Sequence, residues 1–175
     1  MSFPNWAVPA VLAGLLSSSA AFAQVAVAPG SDGFEPYGAS GDWNVFIDRE
    51  RKSCLIERVG EDSIVQMGLT ADHAFGYIGV FSSRDTGIKR GEKEDIFIDI
   101  DGVIFQSQAT GMKGNITEGF SGGYILANNP AFIDAVANGS SMIVFPETDG
   151  MFTVDLEGTK KAMEMARACN LEQAG

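Results

Sequence analysis

The sequence predicts a mainly β protein, an antiparallel β-sandwich or partly open barrel with one short internal helix and a C-terminal helix. Apolar residues alternate with polar ones over most of the chain from Trp43 onward, the period of half-buried strands. Two Asp-Gly pairs, Asp101-Gly102 and Asp149-Gly150, lie between such stretches, and Asp-Gly is a strong hairpin signal. The 21 glycines in 175 residues favour a turn-rich fold of many short elements.

The N-terminal residues predict an export signal. An apolar run over residues 7–16 is followed by Ala21-Phe22-Ala23, the small-x-small pattern that signal peptidase accepts. We therefore expect a signal peptide over residues 1–23, cleaved after Ala23, and a periplasmic location. The alternative is an uncleaved anchor, although three serines interrupt the apolar run short of the roughly 20 residues that a span needs.

After the cleavage site, residues 24–40 are rich in Gly, Pro, Ala and Ser and are expected to form a flexible leader. A single β-rich domain is predicted over residues 41–170, followed by a tail over 171–175. Its predicted strands lie at residues 43–47, 54–59, 64–69, 74–81, 96–100 and 152–156, with a polar connection over 82–94.

Two segments break the β pattern. Asn129-Pro130, with Gly139 downstream, has the cap, first-turn proline and terminal glycine of a short helix. Near the C-terminus, Thr159 is the expected cap of a second helix. The small residues of that helix recur at spacings of four and three, which places them on one face: Ala162, Ala166 and Cys169.

The chain has two cysteines, Cys54 and Cys169. Exported compartments are oxidising, so one disulfide between them is expected. It would close a loop of more than a hundred residues and stabilise the fold by about 4 to 5 kcal/mol in the chain-entropy account. The alternative is two separate buried thiols.

Composition bears on the classes of partner. The net charge of −11 argues against nucleic acid and anionic membrane surfaces as partners, because a protein that binds either needs clustered Lys and Arg. Two cysteines and the single His73 are too few for a dedicated zinc site. No sequence pattern specifies a cofactor, so we expect neither a metal nor a cofactor.

Catalytic candidates are few, and we expect a non-enzymatic protein. His73 lies in a predicted turn, where a surface histidine is the ordinary interpretation. Asp95, Asp99 and Asp101 are separated by even steps and would project from one strand face. They could serve as a calcium site or a carboxylate pair, but Phe97 occupies the first ligand position of the calcium-loop pattern. A solvated sheet face ending in a hairpin turn is the better interpretation.

The pattern of the domain resembles the invasion-associated locus B family of exported Gram-negative proteins. That pattern is an early G-D-W-x-V strand, a cysteine soon after it, a mid-chain Asp-Gly hairpin and a closing strand that leads into G-[ST]-x-x-A and a terminal cysteine. The matching positions are Trp43, Cys54, Asp101, Gly102, Gly158, Thr159, Ala162 and Cys169. The resemblance covers about residues 41–170. It implies a mainly β, periplasmic or surface-associated protein, linked in its founding members to host-cell invasion, with no catalytic residues to carry over.

These observations predict a binding or accessory protein of the cell envelope that acts through a protein partner. The alternative is a small-molecule or carbohydrate binder that uses the sandwich edge and the loop over 119–124. The aromatic residues expected to line such a binding surface are Phe75, Tyr77, Phe120 and Tyr124. A concave pocket lined by these rings would favour the small molecule, and a flat or convex apolar patch would favour the protein partner.

Overall fold

The computed structural model describes residues 33–70, 72–111 and 119–174. The predicted signal peptide and the first part of the leader, residues 24–32, lie outside these ranges. Within them the chain forms ten strands and two helices. The strands are β1 Phe34–Ser40, β2 Trp43–Asp48, β3 Ser53–Val59, β4 Ser63–Leu69, β5 Gly76–Ser82, β6 Lys93–Ile100, β7 Val103–Gly111, β8 Ser121–Ala127, β9 Ser141–Val144 and β10 Phe152–Asp155; the helices are α1 Pro130–Asn138 and α2 Thr159–Gln173.

All ten described strands belong to one open antiparallel sheet in the order β1-β2-β3-β4-β5-β8-β7-β6-β9-β10. The prediction of a mainly antiparallel β fold with one internal and one C-terminal helix is confirmed. Most neighbours in the sheet are also neighbours in sequence, as expected of a chain built from hairpins. There are two exceptions: β8 inserts between β5 and β7, and β9 pairs with β6.

Several local predictions are confirmed. The strand pairs β2–β3 and β4–β5 form over the predicted residues. Asp101 and Gly102 both have positive φ, 50° and 86°, and turn the chain tightly between β6 and β7. The side chain of Asn129 accepts a hydrogen bond from the Ala131 N–H at 3.0 Å, so it caps α1 with Pro130 in the first turn.

The start of the domain differs from the prediction. Residues 34–40, expected in the flexible leader, form β1 and pair with β2 along its length. Pro36 and a register irregularity between Pro36 and Gly38 interrupt the alternation of apolar and polar residues, so the sequence pattern does not predict this strand. Proline is tolerated there because β1 is an edge strand.

The connection between β9 and β10 also differs. The two strands pair as expected, but residues 145–151 join them, and Asp149-Gly150 does not form a two-residue turn. Positive φ occurs instead at Phe145 and Glu147, and the Thr148 N–H donates to the Phe145 carbonyl. Gly150 is needed for close packing, because a Cβ there would lie 2.7 Å from the carbonyl oxygen of Asp85.

One face of the sheet, called here the inner face, carries the main hydrophobic core, and both helices pack on it. The inward side chains of the strands meet those of α1 and α2 in one cluster that includes Trp43, Ile98, Phe132, Val154 and Ala162. On the opposite, outer face, Phe46 and Leu55 form a second, smaller buried pair with Phe34 beside them. The two faces of the sheet are thus strongly asymmetric.

Helix α2 begins without the predicted cap. Gly158 holds the N-cap position with φ of 84°, and a Cβ there would lie 2.6 Å from the carbonyl oxygen of Ser40. A glycine is therefore required by conformation and by contact. Thr159 is instead the first helical residue and is fully buried. The helix continues to Gln173, so it includes most of the predicted tail.

The predicted disulfide between Cys54 and Cys169 is confirmed, with Cα atoms 6.0 Å apart. It joins α2 to β3, and Ala162 shares its buried helix face. The next residue, Asn170, adds a second link: its side-chain oxygen accepts a 2.8 Å hydrogen bond from the Cys54 N–H. A covalent bond and a hydrogen bond thus fix the C-terminal helix to an early strand.

Candidate functional site

The ladder between β7 and β8 ends partway along both strands. Gly111, Thr110 and Ala109 pair with residues of β8, and Ala109 opposite Ile125 is the last pair. The same register would next place Gln108 opposite Leu126, but no pair forms there. The chain leaves the sheet after β8 because Asn129 caps α1. The remainder of β7 therefore has a neighbour on its β6 side only.

The unpaired edge of β7 can be assigned to particular backbone groups. The Gly111 N–H and C=O bond to Glu92 and Gly91, on the β6 side. In an antiparallel strand both groups of a residue point to one side, and successive residues alternate. The same groups of Ile104, Gln106 and Gln108 therefore point away from β6. The pair Ala109–Ile125 is a non-hydrogen-bonded position of the β7–β8 ladder, so the bond beyond it runs from the Leu126 N–H to the Gln108 carbonyl. Within the described residues, Ile104 and Gln106 have no pair in β8 and no backbone bond to a turn or loop.

Apolar side chains surround this open edge. On the outer face, Phe97 is 45%, Ile104 64% and Leu126 50% exposed. A small cleft of about 160 Å³ lies where β7 and β8 separate, and its lining includes Phe105, Leu126 and Phe132. The Phe105 and Phe132 rings meet edge to face at 5.3 Å and close the gap from the inner side. The edge is thus a strand with free backbone groups and apolar surface beside it.

Acidic residues flank the edge on the neighbouring strand. Asp95 is opposite Gln108 and Asp99 is opposite Ile104 on the outer face. Among the described ion pairs none involves either aspartate. The local charge is negative, in keeping with the net charge of the chain.

The outer face near β5 is built differently, around a buried polar network. Glu57 is 1% exposed, and its carboxylate accepts a 2.7 Å hydrogen bond from the side-chain amide of Gln66. The Tyr124 hydroxyl donates in turn to the Gln66 side-chain oxygen at 3.0 Å. The network joins β3, β4 and β8, so it connects three strands across the outer face. Burial without such bonds would be costly for each group.

Two tyrosines cover this network. The Tyr77 and Tyr124 rings meet edge to face at 5.1 Å, and each lies over a glycine of a neighbouring strand. A Cβ on Gly68 would approach the Tyr77 ring to 2.9 Å, and one on Gly79 would approach the Tyr124 ring to 2.5 Å. Burial raises the pKa of both tyrosine hydroxyls above the ordinary value. Both tyrosines are half-buried, and Tyr77 is also among the residues that line the cavity described below.

The four aromatic residues predicted to form a binding surface do not all come together. Tyr77 and Tyr124 are in contact, as described above. Phe75 is 52% exposed and precedes Gly76 at one end of β5, whereas Phe120 precedes β8 at the other end, beside Ser82. Seven residues of strand separate the two ends, about 20 Å. One pair forms, and the other two rings lie apart.

The catalytic candidates are also separated. His73 is exposed in the turn between β4 and β5, with a ring nitrogen 3.0 Å from the Arg51 carbonyl oxygen. The aspartates lie on or after β6, and β8 and β7 stand between β5 and β6. Asp101 is not part of a row with the other two: its carboxylate accepts hydrogen bonds from the N–H groups of Ser140 and Ser141. It fixes the hairpin to the start of β9.

Beneath the helices lies a cavity of about 190 Å³. It is bounded by the inner face of the central strands and by both helices. Its apolar lining includes Ile56, Met67, Ile78, Phe132, Val136 and Met163. A groove of about 350 Å³ runs between α1 and α2, and Ile133, Met163 and Arg167 line both spaces.

Comparison of the chain with protein-family models, with curated proteins and with solved structures finds no match. Over the described residues, no helix has the length and apolar character needed to cross a bilayer. In the same part of the chain, no group of three or more His, Cys, Asp or Glu side chains is placed to hold a metal ion.

Sequence reasoning missed the open edge, the cavity and the polar network. A signal for the network is present: Glu57 and Gln66 each interrupt an apolar strand on the outward phase, and they are register partners. The open edge depends on where β7 and β8 separate, and the cavity depends on how the helices pack. Neither leaves a pattern in the linear sequence.

Proposed function

We propose that this protein is an exported, non-enzymatic binding or accessory module of the cell envelope that acts through a protein partner, as a member of the invasion-associated locus B family. The observation that carries the proposal is the open edge of β7. Two successive residues whose backbone groups point away from β6, Ile104 and Gln106, lie beyond the last β7–β8 pair and have no backbone partner among the described residues. An extended polypeptide segment satisfies such groups by adding a strand.

The surroundings of the edge support a polypeptide occupant. Main-chain bonds supply affinity in strand addition, and alternate side chains supply specificity. Here one face of an added strand would lie beside the exposed Ile104 and Leu126, and its long side chains could reach Asp95 and Asp99. We therefore expect the partner segment to carry apolar and cationic residues. A second copy of the chain is disfavoured because each copy has a net charge of −11.

The two outer edges of the sheet are less suited to this role. In β1, Pro36 lacks an N–H donor and lies beside a register irregularity. Strand β10 has four residues, Phe152–Asp155. Natural proteins protect edge strands with these same devices. The interior edge of β7 carries neither.

Site-specific photo-crosslinking tests the proposal. A photoreactive residue at Gln106 in the exported protein should capture a defined envelope protein, identified by mass spectrometry through a peptide of extended, cationic and apolar character. The matched control places the same residue at Lys161, an equally exposed position on α2. Capture should be absent there.

A backbone variant separates strand addition from contact by chance. For this variant the photoreactive residue is moved to Ile104, which is exposed on the same edge. Gln106→Pro then removes the N–H that faces the open edge while the ladder to β6 is kept, so the fold should persist and capture from position 104 should fall at least tenfold. Equal capture at Gln106 and Lys161, or capture from position 104 that the proline leaves unchanged, would contradict the proposal. Export is tested separately: the periplasmic protein should have the mass of a chain that begins at Gln24.

A further inference from the structure

The cavity between the helices and the sheet is the right size for a small apolar group. Its volume is about 190 Å³. An enclosed apolar cavity of about 150 Å³ in another protein takes up benzene. The present cavity is somewhat larger and is partly open to solvent. The side chains around this cavity are mainly aliphatic, aromatic and thioether groups, among them Ile56, Met67, Phe132 and Met163. An occupant would therefore bury an apolar end there.

Polar groups of the lining are not equally available. Asn170 uses its side-chain oxygen on the Cys54 N–H and its side-chain amide on the Ala166 carbonyl. Arg167 is the charged residue of the lining, is exposed, and makes no ion pair or hydrogen bond within the described chain. It also lines the groove between the helices. Arg167 therefore lies where the apolar cavity meets the groove.

We propose that the cavity binds a small amphipathic carboxylate, with its hydrocarbon end among the apolar side chains and its carboxylate at Arg167. A guanidinium matches the geometry of a carboxylate and can bind both oxygens. The cavity volume fits a chain of about six to eight carbons, judged against benzene in the smaller cavity. This site is independent of the β7 edge, and either proposal can fail without the other.

Methionine methyl groups provide a local readout of binding. With ¹³C-methyl methionine in the full chain, titration with butanoate, hexanoate and octanoate should shift Met67 and Met163, which line the cavity. Met142, buried elsewhere in the core, and the exposed Met151 should not shift. Affinity should rise about fourfold for each added CH₂ until the cavity is filled.

Two pairs of variants test the two ends of the ligand. Ala166→Leu fills the cavity from α2 and should abolish the shifts, whereas Ala168→Leu, on an exposed position of the same helix, should not. Arg167→Gln should weaken octanoate about three- to tenfold and leave 1-octanol unchanged. The matched Arg90→Gln, at an exposed position away from the cavity, should change neither.

Three results would each overturn the proposal. The first is no shift of Met67 and Met163 with millimolar octanoate. The second is octanoate binding that Arg167→Gln does not weaken, because the anionic end would then have no partner there. The third is unchanged binding in a folded Ala166→Leu protein, because the ligand would then lie elsewhere.

Discussion

Strands β5 and β7 lie one strand apart in the same sheet and are built in opposite ways. Strand β5 pairs along its whole length, seven residues with β4 and seven with β8. Strand β7 pairs over eight residues with β6 but, within the described chain, over three with β8. The first is closed on both sides, and the second has an open side.

The two strands also differ in the burial and polarity of their residues. In β5 both faces are buried over Ile78–Ser82, and a tyrosine of β8 covers its glycine. In β7, Gln106 and Gln108 are polar and exposed, and Ser107 is polar and half-buried. Water can satisfy an exposed strand edge, so β7 remains folded without a second neighbour. The comparison shows how one sheet can combine a closed, covered region with an edge that remains available.

The largest expected effect on stability comes from removing the disulfide that joins α2 to β3. Replacing both cysteines, Cys54→Ser with Cys169→Ser, should lower the free energy of unfolding by about 4 to 5 kcal/mol, because the disulfide closes a loop of sequence separation 115. Urea denaturation of the variant and of the oxidised wild type measures the difference.

Hydrogen exchange then locates the effect. Amides of β3 and α2 should lose protection most, because the disulfide joins these two elements. Amides of the β6–β7 hairpin should lose protection least. Equal loss in both regions would show that they open as one unit, and the distinction between them would fail. A stability change below about 1 kcal/mol would contradict the assigned role of the bond.

A pair of prolines tests the open edge directly. The Ser107 N–H points toward β6, so Ser107→Pro should remove a ladder bond and leave its carbonyl acceptor unsatisfied, at a cost of about 1 to 3 kcal/mol. The Gln106 N–H points to the open side, so Gln106→Pro should cost less than about 1 kcal/mol. Thermal unfolding of the two variants provides the comparison. If Gln106→Pro were the more destabilising of the two, the Gln106 N–H and not the Ser107 N–H would point toward β6, and the assignment of the open side would be wrong.

A smaller effect is expected in the polar network under the tyrosines. Tyr124→Phe removes a hydroxyl that donates to buried Gln66, and leaving that acceptor unsatisfied should cost about 1 to 3 kcal/mol. Tyr37→Phe is the matched control, because the Tyr37 hydroxyl donates to Glu172 in an exposed site, so its loss should change stability far less. Chemical denaturation measures both, and equal costs would mean that the network contributes nothing beyond an exposed bond.

Alkaline pH should act on the same face. Burial raises the pKa of Tyr77 and Tyr124 in the folded protein above the unfolded value of about 10. The unfolded chain therefore loses these protons first, and stability is kept below pH 10 and falls above it, by at most about 1.4 kcal/mol per pH unit for each tyrosine. Urea midpoints at pH 9, 10 and 11 should fall in the wild type and fall less in Tyr77→Phe with Tyr124→Phe. Parallel curves for the two proteins would show that other groups cause the loss.

Local patterns predicted many of the elements correctly. The alternation in β2–β6, the Asp101-Gly102 turn and the Asn129 cap each involve residues close in sequence, where propensity and turn chemistry decide the outcome. Predictions failed where distant contacts replaced a local rule. Thr159 is buried and not a cap because Gly158 must approach Ser40 closely, a contact more than a hundred residues away in sequence.

The candidate site was predicted less well than the fold. The four aromatic residues were grouped by type and spacing, yet β8 runs antiparallel to β5 and places Phe75 and Phe120 at opposite ends. Tyr77 and Tyr124 do meet, because they lie on the same face of adjacent strands. Which aromatic residues meet therefore follows from strand register, and β8 reaches β5 only through a crossover that no local pattern specifies.

The sequence by itself determined the mainly β class, the two helices and, through its two cysteines, the pair that forms the disulfide. These follow from periodicity and residue counts, which are properties of the linear chain. Only the tertiary structure decided that β7 keeps an open edge and that a cavity lies under α1 and α2. Both arise where elements fail to meet, and the places at which a chain leaves a sheet or a helix stands off it are set by packing among residues far apart in sequence.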